Sequence, residues 1–340
     1  MRRLAMKHNV FLSGCMVGLL SIGLFLIPGL SLGAPIILKL AHVAPPNTTY
    51  DNAALKLAEG VAKYTKGKVE IKIYGSAQLG GEGQQFAQLK AGAIDMVLSD
   101  YFAAAMLEPE PKNFFVNLVP YLFKSMDHFH KYLKSDLFRT MMARAEEAGN
   151  IKFVGYLGDR SPRMLTTSKT KVVTPADCKG VKLRVPPVPV YVETWKRWGA
   201  TPTPVAAKDI YTSLKTGLVD GQDQTILAIW DAKYYEVQKY GMILDHILNG
   251  MGTWINRDKW NSFDPETQAA FLRAAQETDA FMSKEVETLT PAAIKNLEKA
   301  GVTIVRPDIA SFKAIAEKWP LEYDGKWWEK GLYEKIRALD

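Results

Sequence analysis

Apolar and polar positions alternate over short runs of this chain and recur every three or four positions between them. Ile36-Ile37-Leu38-Lys39-Leu40-Ala41, stopped by Pro45-Pro46, predicts a first strand. Tyr50, Ala54, Leu57, Ala58, Val61 and Tyr64 then recur at helical spacing from Thr49 onward, and Gly67 closes the segment. Residues 69–73 alternate as a strand, residues 75–83 form a Gly-rich turn, Phe86 and Leu89 suggest a short helix, and residues 93–98 read as a third strand. Residues 126–148 predict one helix closed by Gly149-Asn150, and residues 151–157 another strand. Val181-Lys182-Leu183-Arg184-Val185 alternates as a strand and meets the rigid stop Pro186-Pro187-Val188-Pro189. Helices are expected over residues 191–198 and 205–215, and a strand over residues 251–256 that crosses back to the first half. Residues 264–300 predict one very long helix, about 55 Å at 1.5 Å per residue, capped by Asp264-Pro265 and Gly301. Pro291 is expected to kink it. Strands alternating with helices predict an α/β fold with largely parallel pairing.

Two stretches echo one another. Lys90-Ala91-Gly92-Ala93-Ile94-Asp95 and Lys215-Thr216-Gly217-Leu218-Val219-Asp220 each read as a helix end, a glycine cap and a strand start. They argue for two lobes of similar local build. The expected division is 34–160 with about 250–288 in one lobe, and 161–249 with about 289–340 in the other.

The N-terminus changes the picture. Arg2, Arg3 and Lys7 precede an uncharged, mostly apolar run over residues 10–30, and Ser31-Leu32-Gly33-Ala34 offers small residues for cleavage. Residues 1–33 therefore read as a secretory signal, with an uncleaved membrane anchor as the alternative. Leu12-Ser13-Gly14-Cys15 comes too early in the run for a lipid-attachment box. Setting the three cations aside leaves 40 basic against 36 acidic residues, a net charge of +4. That is too mild and too evenly spread for nucleic acid. Cys178 is then the one cysteine, so no intramolecular disulfide is expected.

The candidate chemistry lies in Gly158-Asp159-Arg160-Ser161-Pro162-Arg163 and the strand around Arg184. Arginine presents a planar fork of donors that fits a carboxylate bidentately. The plain alternative is a solvated strand face or an internal ion pair. Ser99 and Asp100 close the third strand and Tyr101 follows, which places Asp100 and Tyr101 where open α/β sheets bind their ligands. Trp195, Trp198, Trp230 and Trp254 are candidate walls, Trp254 foremost because it lies on the crossing strand. His128 and His130 fall two apart in an expected helix and would not share a metal. No His-Glu metal motif, nucleophile elbow, Walker loop or dinucleotide fingerprint occurs, so no enzyme, metal or cofactor is expected.

The order and spacing of several motifs resemble the substrate-binding proteins of tripartite ATP-independent periplasmic (TRAP) transporters, the DctP-type family. They are Gly75-Ser76-Ala77-Gln78-Leu79-Gly80, Gly92-Ala93-Ile94-Asp95-Met96, Pro175-Ala176-Asp177-Cys178-Lys179-Gly180-Val181-Lys182-Leu183-Arg184-Val185, Trp198-Gly199-Ala200-Thr201-Pro202 and Gly217-Leu218-Val219-Asp220-Gly221-Gln222-Asp223. The resemblance covers nearly all of the chain after the signal. It implies a two-lobed, periplasmic-binding-protein-like (type II-like) α/β fold with interlobe hinge strands, closing on an organic acid. It further implies a periplasmic, monomeric protein that hands a small carboxylate to TRAP membrane permease subunits, with no stable membrane insertion after cleavage. The alternative is a secreted enzyme or sensor-associated ligand-binding protein of the same fold. The family's carboxylate-pairing arginine falls on Arg184, a second arginine on Arg163, and a polar residue, often asparagine, on Gln224. Arg160 is expected to be an outward or supporting residue. Where sugar-acid-binding members carry a further arginine, this chain has Tyr101-Phe102-Ala103-Ala104, which implies a less cationic pocket and leans toward a monocarboxylate.

Overall fold

The computed structural model describes residues 34–339; the expected signal over residues 1–33 lies outside the described residues. The strands are β1 (Ile36–Ala41), β2 (Val69–Tyr74), β3 (Met96–Asp100), β4 (Ile151–Asp159), β5 (Arg163–Thr167), β6 (Lys182–Val185), β7 (Thr201–Pro204), β8 (Gly221–Thr225), β9 (Tyr240–Ile243), β10 (Gly250–Asn256) and β11 (Thr303–Val305). They form two sheets, in the orders β2-β1-β3-β10-β4 and β11-β9-β5-β8-β6-β7. The helices are α1 (Thr49–Tyr64), α2 (Glu82–Lys90), α3 (Met126–Lys134), α4 (Asp136–Gly149), α5 (Pro189–Arg197), α6 (Ile210–Lys215), α7 (Ile226–Asp231), α8 (Arg257–Asn261), α9 (Pro265–Lys299), α10 (Ile309–Ala316) and α11 (Leu332–Arg337). Among the described residues no helix is long and apolar enough to cross a membrane.

Local chemistry sets the element ends. Asp264 caps α9 by accepting from the Thr267 N–H at 2.7 Å, Pro265 fills the first helical position, and Gly301 leaves the helix at φ +94°. The single helix expected over residues 126–148 is two. Ser135 takes an extended backbone, and its hydroxyl accepts from the Phe138 N–H at 3.2 Å, so one serine ends α3 and caps α4. The long helix packs on α1 and β4 of the first sheet's side and on α7 and β11 of the second. Ala274 abuts Gly60 and Met282 abuts Gly158; a Cβ on either glycine would come within 2.8 Å of it. The C-terminal residues also reach the first sheet's helices. Glu329 pairs with Arg144 at 2.8 Å, and the Ile336 carbonyl lies 2.9 Å from His128 Nε2.

The two echoing stretches fold alike. Gly92 and Gly217 sit at φ +73° and +72°, closing α2 and α6. The Asp95 carboxylate accepts from the Lys39 N–H at 2.8 Å, and the Asp220 carboxylate accepts from the Lys182 N–H at 3.0 Å. Each aspartate also donates its own N–H to the carbonyl of that lysine. In both sheets an aspartate thus fixes the register of two parallel strands, β1 with β3 and β6 with β8.

β10 lies antiparallel between β3 and β4. At its first residue, Gly250, an added Cβ would overlap the Tyr156 ring, at 1.6 Å from the hydroxyl oxygen. Gly250→Ala is therefore expected to lower the thermal unfolding midpoint by several degrees, from about 1–3 kcal/mol of overpacking. Differential scanning fluorimetry would check this; an unchanged midpoint would mean that Tyr156 swings aside.

A candidate anion-binding cleft

Besides the run from β10 through α8 and α9 to β11, two segments join the sheets, and they are laced together. Arg160-Ser161-Pro162 carries β4 into β5, and residues 244–249 carry β9 into β10. The Arg160 N–H donates to the Asn249 carbonyl at 2.9 Å, and the Asp245 N–H donates to the Arg163 carbonyl at 3.0 Å. Ser161 Oγ accepts from the Leu227 N–H at 3.0 Å and the Pro162 carbonyl from the Ile226 N–H at 2.9 Å, satisfying the first turn of α7. The candidate site residues are therefore held by backbone bonds at the junction.

Arg184 lies on β6, next to the edge strand of the second sheet, in register with Gln222 of β8 and Thr203 of β7. It is 2 % exposed. Its Nε donates to the Val205 carbonyl at 2.9 Å, and among the described residues its buried Nη1 has no hydrogen-bond partner. No carboxylate among them pairs with it. Burial pushes its pKa down to about 10, a cation whose charge the protein does not neutralise.

Arg163 differs. Its Nε donates to Asp223 Oδ1 at 3.0 Å and its Nη2 to the Asp223 carbonyl at 3.0 Å. The guanidinium lies over the Tyr191 ring at 5.1 Å. Trp195 Nε1 donates to Asp223 Oδ2 at 3.2 Å, and His246 Nε2 lies 3.2 Å from the same oxygen. All five side chains are buried. Burial disfavours the Asp223 charge, but Arg163 and His246 outweigh it and hold the carboxyl well below the usual range.

Arg160 is not outward. Its side chain is buried and bridges the sheets. Nη1 pairs with Asp100 Oδ1 at 2.9 Å, at the end of β3. Nη2 donates to Thr225 Oγ1 at 2.8 Å and reaches Gln224 Oε1 at 3.5 Å, both at the end of β8. Its face covers the Tyr50 ring at 4.6 Å, and the Tyr50 hydroxyl donates to Asp100. Asp100 and Gln224 thus meet through Arg160, a link that sequence separation hid. The sequence also did not single out Glu82, which accepts from the Ser99 hydroxyl beside Asp100. Its one signal was an acid at a helix start immediately after Gly80-Gly81.

Tyr101 and Trp254 have the neighbours of a packed core. Tyr101 is fully buried against Phe102, Phe114, Phe129, Phe138 and Tyr156. Trp254 is wedged between Phe86 and Phe153. β3 ends at Asp100, whose carboxylate meets Arg160, and Tyr101 opens a short 3-10 turn with its ring packed into the core. His128 and His130 diverge: His130 Nε2 pairs with Asp159 Oδ1 at 2.8 Å. Cys178 is buried.

Two sheets joined by paired crossings, with arginines buried at the junction, define a two-lobed solute-capturing protein. The chain belongs to the bacterial extracellular solute-binding protein family 7 (DctP), whose profile matches residues 40–324. It is 32 % identical over 255 residues to the 2,3-diketo-L-gulonate-binding periplasmic protein YiaO of Escherichia coli, covering 74 % of this chain and 76 % of that one. Among solved structures, a TRAP periplasmic solute-binding protein of Actinobacillus succinogenes with bound L-galactonate superposes with a TM-score of 0.82 at 27 % identity. It covers 88 % of this chain and 98 % of that one. Another from Citrobacter koseri, with bound D-glucuronate, has a TM-score of 0.80 at 26 % identity and covers 89 % and 99 %.

Proposed function

We propose that this protein captures a polyhydroxylated monocarboxylic acid between its sheets and presents it, in the periplasm, to a TRAP membrane permease. The observation that carries this reading is Arg184, a buried arginine whose Nη1 meets no acceptor among the described residues. A buried guanidinium without a carboxylate is costly unless a ligand supplies one. Arg163 is matched by Asp223 and Arg160 by Asp100, so Arg184 is the cation left for a ligand and one carboxylate suffices. The neighbouring Asp100, Gln224 and Thr225 are hydrogen-bonding groups suited to hydroxyls rather than to a second acid. The names of the related proteins point the same way, because 2,3-diketo-L-gulonate, L-galactonate and D-glucuronate each join one carboxylate to several hydroxyls. Arg163 acts mainly as support for Asp223, with its remaining donor turned to the ligand. The protein works as a monomer and performs no chemistry on the acid.

Thermal-shift measurements with L-galactonate, D-glucuronate and succinate test the proposal. L-Galactonate or D-glucuronate at 1 mM is expected to raise the midpoint by several degrees, since ligand at 100 times Kd adds about 2.7 kcal/mol. A shift with succinate alone would replace the sugar-acid reading with a dicarboxylate one. Recovery of a chemically altered acid after incubation would favour the enzyme reading.

A further inference from the structure

Residues 121–125, which lead into α3, are tied to the crossing from β9 to β10. The Tyr121 N–H donates to the His246 carbonyl at 2.7 Å, and its hydroxyl donates to the Leu244 carbonyl at 3.4 Å. Between this loop, the crossing and α10 lies a pocket of about 340 Å³, at the small end of the range of about 300–1,000 Å³ that small-molecule sites occupy. Phe123, Met126, Leu248 and Ile309 give it an apolar lining. None of Arg160, Arg163, Arg184, Asp100, Asp223 or Gln224 lines it, so it is separate from the cleft.

Three charged side chains complete the walls: Lys124 on the loop, Lys313 on α10 and Asp245 on the crossing. All three reach solvent, and among the described residues none is in an ion pair. Asp245 stands at φ +44°, a left-handed backbone uncommon outside glycine, and its N–H is held by the Arg163 carbonyl at 3.0 Å. A conformation of that kind is kept where the surrounding structure enforces it, often beside a ligand.

An apolar lining beside two unpaired ammonium groups and one unpaired carboxylate has a definite complement. An apolar acid would answer the lysines and leave Asp245 facing a like charge. An apolar amine would answer Asp245 and leave both lysines. A molecule that carries a carboxylate and an ammonium on one carbon, with an apolar body behind them, answers all three. We infer that this pocket is a second binding site, for a zwitterionic α-amino acid with an apolar side chain. Lys124 and Lys313 take its carboxylate, Asp245 takes its ammonium, and its side chain fills the space between Phe123, Met126, Leu248 and Ile309. Both ligand charges are present at pH 7. The site stands independently of the part given to Arg184.

Isothermal titration calorimetry and thermal shift at pH 7 test this with three probes: L-phenylalanine, 3-phenylpropionate, which lacks the ammonium, and 2-phenylethylamine, which lacks the carboxylate. L-Phenylalanine is expected to bind, and each analogue to bind about tenfold more weakly, through loss of one charge-assisted contact. Asp245→Asn suits the left-handed backbone equally well. That variant, and Lys124→Ala combined with Lys313→Ala, are each expected to weaken L-phenylalanine about tenfold. Arg184→Ala is expected to bind L-phenylalanine as the wild type does. Neither heat nor a midpoint shift in the wild type would overturn the inference. So would full affinity in Asp245→Asn or in the double lysine variant, or loss of binding in Arg184→Ala, which would place the amino acid in the cleft. Equal affinity for 3-phenylpropionate would leave Asp245 without a task and overturn the amino-acid assignment. Failure of L-galactonate to bind would end the sugar-acid reading and leave these measurements to decide the pocket unaided.

Discussion

Arg184→Ala is expected to weaken binding of the captured acid by about 30-fold or more, because losing one partner of a buried, hydrogen-bonded charge pair costs about 2–5 kcal/mol and each 1.4 kcal/mol is tenfold in Kd. The same variant is expected to keep the ligand-free melting temperature, or raise it. The side chain it deletes is a desolvated cation whose Nη1 is unpartnered among the described residues, and relief of that cost offsets the lost bond to the Val205 carbonyl and the lost packing of its stem. Loss of binding with an unharmed fold distinguishes a clamp from a structural arginine. Arg184→Lys should not rescue, since an ammonium cannot bond Val205 and a carboxylate in the same planar fork. Calorimetry of both variants with L-galactonate and D-glucuronate, beside their melting curves, checks this. Wild-type affinity in Arg184→Ala would remove the residue from the site. The clamp alone does not make a micromolar complex, which needs about −8.2 kcal/mol. A charge-assisted bond contributes about 1.5–3 kcal/mol, so closure over the rest of the acid supplies the remainder.

Asp223→Asn is expected to cost about 3–5 kcal/mol of folding stability, since it leaves the Arg163 guanidinium buried without its counter-ion. Trp195 and His246 lose a charged partner in the same step. Urea unfolding followed by tryptophan emission would show a lower midpoint with an unchanged slope. The pH signature has a defined sign. Asp223 ionises at lower pH in the folded protein than in the unfolded chain, so its stabilisation is complete above the unfolded carboxyl value of about 4. It is lost as pH falls through the depressed folded value. The gap between wild type and Asp223→Asn should thus be constant through the neutral range and shrink only in acid. Equal stability of the two at pH 7 would show that water, rather than Asp223, satisfies Arg163.

Much of this was legible in the sequence where a local rule and the tertiary demand agreed. Asp264-Pro265 and Gly301 bound the long helix because a capping acid, a first-turn proline and a left-handed glycine act through near neighbours alone. The Gly92 and Gly217 echo was visible for the same reason, although its purpose, two aspartates fixing two parallel registers, was not. Arg184 stood out on an alternating strand. The rest depended on contacts between distant positions. Thr201-Pro202-Thr203-Pro204 gave no strand pattern, yet it forms β7 at the sheet edge, where prolines need not donate. Ser135 reads as an ordinary helix residue until its hydroxyl is seen capping a second helix. Arg160 looked peripheral because both its partners lie about 60 positions away, Asp100 before it and Thr225 after it. Tyr101 looked like a pocket residue after a strand and Trp254 like a wall on the crossing strand, because aromatic side chains serve cores and pockets alike.

The placement of β10 bears on how the chain comes to be folded at all. In the first sheet β4 is joined to the other strands only through β10, whose residues are made about 90 positions after β4. A growing chain that has reached residue 200 therefore holds a three-stranded fragment with β3 at its edge and β4 unattached. Stopping synthesis before Gly250 should give an aggregation-prone, protease-sensitive product rather than a stable half.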